Sequence, residues 1–165
     1  MKKTRFYEPG CMSCDAYQEH GLSRYCNGFK NKKRSKAFRK RDPIIKVPAW
    51  CPKRKNPSEV RVYSCQDERY EGMTRLMEDI QCGAGGFASP MVQGYCLRAK
   101  DTTTLTPSQF FERANDSDAA LPLEGVKLKR GDVIEIDTGL VRFFFYYAYS
   151  GKVYRAFFDV QHLTK

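Results

Sequence analysis

The chain has 165 residues, seven of them cysteine, with 29 Lys/Arg against 19 Asp/Glu and a formal charge of +10. That length holds one ordinary domain, or a small module beside a modest one, and excludes large multidomain machinery. No run nears the roughly 18 apolar residues of a membrane span, and the opening Met1-Lys2-Lys3-Thr4-Arg5-Phe6-Tyr7 lacks the apolar stretch of a secretory signal. The expectation is a soluble, cytoplasmic protein whose odd number of thiols serves metal ligation rather than disulfides.

The charge is uneven. Residues 1–64 carry 17 Lys/Arg and 5 Asp/Glu, whereas 65–165 carry 12 and 14, so the amino-terminal part is the anion-seeking end. Up to Tyr63 the chain is rich in Lys, Arg, Cys, Pro and Gly without helical or strand periodicity, as expected where a metal replaces a hydrophobic core. The predicted fold class is α+β. A loop-rich, basic zinc-binding module spans residues 1–64, followed by an α+β domain over 65–165 with an antiparallel sheet and two helices.

Within the second part, Tyr70, Met73, Leu76, Met77 and Ile80 recur at three- and four-residue steps, which predicts an amphipathic helix over 67–81 stopped by Gly83. Cys82 to Phe87 forms a loop, and 91–99 forms a strand. Thr106 is an N-cap, Pro107 suits the first helical position and Gln109 completes a capping box, so a second helix starts there and ends by 115–118. The last forty residues predict strands: 132–137, then 141–149 paired with 152–160 across Ser150-Gly151. Aromatics on both faces of Arg142-Phe143-Phe144-Phe145-Tyr146-Tyr147 predict a central strand covered on both sides.

Cys11-Met12-Ser13-Cys14 is a CxxC on a turn-forming stretch, followed by Cys26 and Cys51 beside the turn residues Gly28 and Pro52. Tetrahedral zinc needs four ligands converging from separate segments, and a two-residue spacing lets both thiolates of a tight turn reach one ion. Cys11, Cys14, Cys26 and Cys51 are therefore the candidate ligands. His20 in place of one thiolate would give a three-cysteine, one-histidine site, and Cys65 is the other substitute. Cys65, Cys82 and Cys96 have no local pair and otherwise read as buried thiols; Trp50 reads as core packing beside Cys51.

The runs Cys11-Met12-Ser13-Cys14, Tyr25-Cys26-Asn27-Gly28-Phe29-Lys30 and Lys46-Val47-Pro48-Ala49-Trp50-Cys51-Pro52-Lys53-Arg54 resemble a small cysteine-rich module of uncharacterised phage and integrative-element proteins of Firmicutes. The resemblance covers about the first 64 residues. It implies a mobile-element origin and metal ligands at those four cysteines, and by itself implies no activity. Its setting implies, in the most concrete form, a type II anti-CRISPR protein that binds the RNA-guided effector nuclease of a host defence system and blocks loading of target DNA.

Between Lys30 and Arg41, eight of twelve residues are cationic: Lys30, Lys32, Lys33, Arg34, Lys36, Arg39, Lys40 and Arg41. With Phe29 and Phe38 interleaved for stacking, such a run neutralises phosphates and reads backbone rather than base sequence. The bland alternative is a solvated basic loop; an acidic protein surface is the other partner it would suit.

Catalytic signatures are wanting. Neither His20 nor His162 lies in a hydrolase motif, so no enzyme is expected. Gly83, Gly85 and Gly86 lack the Lys-Ser/Thr of a phosphate loop and read as a linker. Asp132, Glu135 and Asp137 could gather a cation at a strand end, but alternation sets Asp132 apart from the other two.

Overall fold

A computed structural model describes residues 6, 8–29, 34–84, 86–116, 123 and 125–163. Two sheets and two helices make the chain an α+β protein. The smaller sheet begins with a hairpin, β1 (Tyr17–His20) and β2 (Ser23–Cys26), which turns at Gly21 in the left-handed region (φ 60). A two-residue strand, β3 (Lys36–Ala37), adds antiparallel to β2. Between residues 8 and 57 only Gly10, Cys11, Cys26 and Pro48 are buried among the described residues, so almost no apolar core holds this part.

The larger sheet has six strands: β4 (Ser58–Cys65), β5 (Phe87–Ala88), β6 (Tyr95–Thr103), β7 (Val133–Asp137), β8 (Arg142–Tyr147) and β9 (Val153–Ala156). Their order is β5-β9-β8-β7-β4-β6. The pairs are antiparallel except β5 with β9, so the sheet is mixed rather than purely antiparallel. Residues 58–64, grouped by sequence with the basic module, form most of β4 and lie between β6 and β7 in this sheet. The boundary drawn at residue 64 passes through a strand.

Helix α2 (Pro107–Ala114) starts as its capping box dictates, with Thr106 and Gln109 bonded reciprocally. It lays Phe110 and Ala114 on one face of the sheet against Val60, Val62, Ile134, Ile136, Phe143 and Phe145. The other face packs Tyr63, Tyr95, Val133, Tyr146 and Phe158. All five residues of β7 are buried, and β8 is covered on both sides, the arrangement its aromatic run predicts. The expected pairing of the last two strands is present, with Tyr147 opposite Val153 and Gly151 at φ 85 in the connection.

Helix α1 (Glu68–Glu78) departs from expectation in two ways. It ends three residues early and passes into a π-helical turn, Asp79–Ala84. It also buries Thr74 and Glu78, while Met73, Leu76, Met77 and Ile80 face outward, Leu76 with 79% of its surface exposed. The physical reason is polar docking: the Glu78 carboxylate accepts hydrogen bonds from the Tyr146 hydroxyl (3.1 Å) and from the backbone N–H groups of Tyr149 and Ser150 (3.0 and 3.3 Å). A carboxylate meeting three donors orients the helix against its apolar stripe. Strand β6 begins later than expected, after a 3-10 turn at Val92–Gly94.

The segment that follows Cys51 meets the large sheet at the β7–β8 turn. The Lys55 N–H donates to the Thr138 carbonyl (2.8 Å), and Lys55 Nζ lies 2.8 Å from Asp137 Oδ2. Gly139, at φ 79, lets the Lys53 carbonyl approach so closely that a β-carbon would stand 2.1 Å from its oxygen. Gly139→Ala combines that clash with a left-handed backbone and is expected to cost about 2 kcal/mol or more in urea denaturation; a loss under half of that would contradict the close approach.

Candidate metal centre and basic face

The four cysteines chosen from their spacing come from three short segments. Cys11 opens a 3-10 turn closed by the Cys14 N–H donating to the Cys11 carbonyl (2.9 Å), and the Tyr17 N–H then donates to the Cys14 carbonyl (3.0 Å). Cys26 ends β2 opposite Tyr17. Cys51 lies between two tight turns, its N–H donating to the Pro48 carbonyl (3.1 Å) and its carbonyl accepting from Arg54 (3.2 Å). Gly10 admits the 44–45 backbone at a distance that would put a β-carbon 2.3 Å from the Ile45 oxygen.

All four line one cavity of about 20 Å³, together with Ala16, Gly28 and Phe38. That volume suits a single atom-sized guest. Burial, and then the neighbouring thiols of Cys51, Cys26 and Cys14, push the Cys11 thiol up to about 11. Lys53 Nζ stands 3.4 Å from Cys14 Sγ and 2.5 Å from Asp15 Oδ1, a pairing no sequence pattern announces. Among the described residues no group of three or more His, Cys, Asp or Glu side chains is arranged so that it could hold a metal ion.

The substitute ligands lie elsewhere. His20 is exposed on β1 with its ring beside Tyr25 (6.2 Å), and Cys65 sits in β4 with its thiol 3.4 Å from the Asp67 carbonyl; neither lines the cavity. Cys82 is buried and Cys96 half-buried, both in the larger unit.

Trp50 gathers the rings around the cysteines: Phe29 stacks on it at 6.4 Å and Phe38 meets it edge-on at 5.1 Å, with Tyr17 against Phe38 at 5.6 Å. Lys36 Nζ lies 4.3 Å above the Trp50 ring. Phe29 and Phe38, expected to stack on bases, are thus engaged within the protein. Of the cationic run, Lys30, Lys32 and Lys33 lie outside the described residues. Arg34, Arg39, Lys40 and Arg41 are exposed and enter no ion pair among the described residues, whereas Lys53, Arg54 and Lys55 are paired with Asp15, Glu8 and both Glu59 and Asp137.

The acidic strand end is an ion-pair network. Glu135, with no exposed surface, bonds Arg61 Nη1 (2.8 Å) and the Tyr63 hydroxyl (2.5 Å); Asp137 meets Lys55, and Asp132 meets Arg98 Nη2 (2.6 Å) and the Ser64 hydroxyl. Each carboxylate has a cation already in place.

Compared with known proteins, the chain matches no family model, no curated protein and no solved structure.

Proposed function

We propose that Cys11, Cys14, Cys26 and Cys51 hold one zinc ion, and that the protein is a non-enzymatic binding protein that lays its cationic run along a nucleic-acid backbone. The observation carrying the second half is the set of four exposed cations, Arg34, Arg39, Lys40 and Arg41, clustered in sequence and without an ion pair among the described residues, whereas Lys53, Arg54 and Lys55 are paired. Four soft thiols around an atom-sized space fit zinc in number and chemistry. When bound, the ion supplies folding energy that the sparse apolar packing of this part lacks.

Free guanidinium and ammonium groups on a metal-held surface gain affinity by releasing counterions from phosphates, without reading bases. On the mobile-element resemblance, the nucleic acid is that of a host defence nucleoprotein, and occupancy keeps target DNA from loading onto the type II RNA-guided effector nuclease.

The quadruple variant Arg34→Gln/Arg39→Gln/Lys40→Gln/Arg41→Gln tests the reading. Duplex and single-stranded oligonucleotides are expected to bind the wild-type chain with a steep salt dependence. The variant's log–log slope should be shallower by roughly one unit for each phosphate it no longer neutralises. An unchanged slope, or no binding by the wild type at low salt, would refute it. Affinity capture with a type II effector nuclease separates the defence version from the general one, since only the former requires retention of that complex.

A further inference from the structure

A cleft of about 520 Å³ opens at the end of the large sheet where β8 begins and β9 finishes. Its lining includes Phe144, Val92 and Phe157 with the charged groups Arg142, Arg155 and Asp159, the last already bonded to His162 at 2.9 Å. Its size and mainly apolar lining with a few charged groups are those of a small-ligand site.

Three observations bear on what it takes. Phe157 keeps 68% of its surface exposed and is propped edge-on by Phe87 (5.2 Å), so a large ring is held at the mouth with one side facing water. Arg155 lies 5.1 Å over the Phe6 ring and enters no ion pair among the described residues. Arg142 faces Glu135 only through Nε at 3.4 Å, because the two oxygens of that carboxylate already serve Arg61 and Tyr63 more closely. Arg142 also lies 4.0 Å from Asp137 Oδ2 through the same Nε, at the limit of an ion pair.

We infer that this cleft binds a nucleotide unit, with the base stacked on Phe157 and the phosphate met by Arg142 and Arg155. An exposed ring beside one guanidinium without an ion pair among the described residues, Arg155, and a second, Arg142, held only by contacts of 3.4 and 4.0 Å, suits a ligand that is planar and apolar at one end and anionic at the other. A purely apolar guest would leave two arginines desolvated, and a simple anion would leave the aromatic wall without a partner. The nucleotide is either a free mononucleotide or one residue of a single strand. The inference uses none of the residues of the basic face and stands or falls apart from it.

The test uses the full chain with all eight cations of the run, Lys30, Lys32, Lys33, Arg34, Lys36, Arg39, Lys40 and Arg41, replaced by Gln, so that their charges do not contribute. AMP and a fluorescently labelled thymidine decamer are titrated separately, and a decamer containing 4-thiothymidine is photo-cross-linked and mapped by mass spectrometry. At least one probe should bind, and Phe157→Ala and Arg155→Gln should each weaken it about tenfold. Both side chains are exposed, so thermal unfolding should be unchanged in these variants. AMP binding assigns the cleft to a free nucleotide; binding of the decamer alone, with cross-links at 155–158, assigns it to a strand. Failure of both probes, or equal binding by the two variants, would overturn the inference.

Discussion

Cys11→Ser or Cys26→Ser is expected to strip the protein of zinc and to unfold residues 10–54 while the six-stranded sheet remains assembled. The small sheet has three strands, the longest of four residues, and the hairpin and two-residue β3 bury almost nothing apolar. Short strands without a core do not stand alone in water. A structural zinc site contributes about 10–16 kcal/mol of apparent binding free energy in small metal-dependent folds, far more than the aromatic packing around Trp50 can supply. Native mass spectrometry should give one zinc per wild-type chain and none in either variant, and limited proteolysis should cut within 10–54 only in the variants. Cys65→Ser, remote from the cavity, should keep its metal. A reduced wild-type protein that is metal-free and still protease-resistant over 10–54 would end the zinc reading.

The second large effect belongs to the buried charges of the large sheet. Arg61→Met is expected to cost about 3 kcal/mol, lowering Tm by roughly 6–12 °C, because it strands a fully buried Glu135 carboxylate. The Tyr63 hydroxyl and the more distant Arg142 keep the loss at the lower end of the range for a broken buried pair. Arg61→Met/Glu135→Leu should recover much of the stability, since replacing both partners removes the unpaired charge. Urea denaturation of the three proteins checks this, and a loss below about 1 kcal/mol in the single variant would show that Glu135 does not depend on Arg61.

The same network is acid-sensitive. Burial works to raise the Asp137 carboxyl, but the Lys55 ammonium and the Gly139 N–H that bond it prevail and hold it below the ordinary carboxylate range. Its folded pKa being depressed, its contribution is present above the unfolded value of about 3.9 and is lost as pH falls through the lower folded value.

How far the sequence reaches depends on the range of the interaction. The capping box at Thr106 to Gln109 and the last strand pair around Gly151 involve neighbours in the chain, and both form as their residues require. The aromatic run of β8 could be read as central because no exposed strand tolerates apolar rings on both faces. The four cysteines selected by spacing and turn residues are the ones that line a common cavity, since a CxxC turn leaves few ways for its thiols to point.

Helix α1 shows where periodicity misleads. The spacing of Met73, Leu76, Met77 and Ile80 is sound for a helix but silent about which face turns inward. That choice falls to Glu78 and its three donors, which belong to segments some seventy residues later. The place of residues 58–64 is set in a related way: β4 takes its neighbours from residues 95–103 and 133–137, pairings that local composition does not encode.

By itself, then, the sequence determined the α+β class, the capped second helix and the carboxy-terminal strand pair, because each is written in residues close together or in residue chemistry. Only the tertiary structure decided that α1 turns its apolar stripe outward, that the acidic strand end is neutralised by Arg61, Arg98 and Lys55, and that two arginines and an exposed phenylalanine share a cleft. Those outcomes depend on which distant groups satisfy one another's charge and hydrogen bonds once the sheet has closed, and no spacing along the chain carries that information.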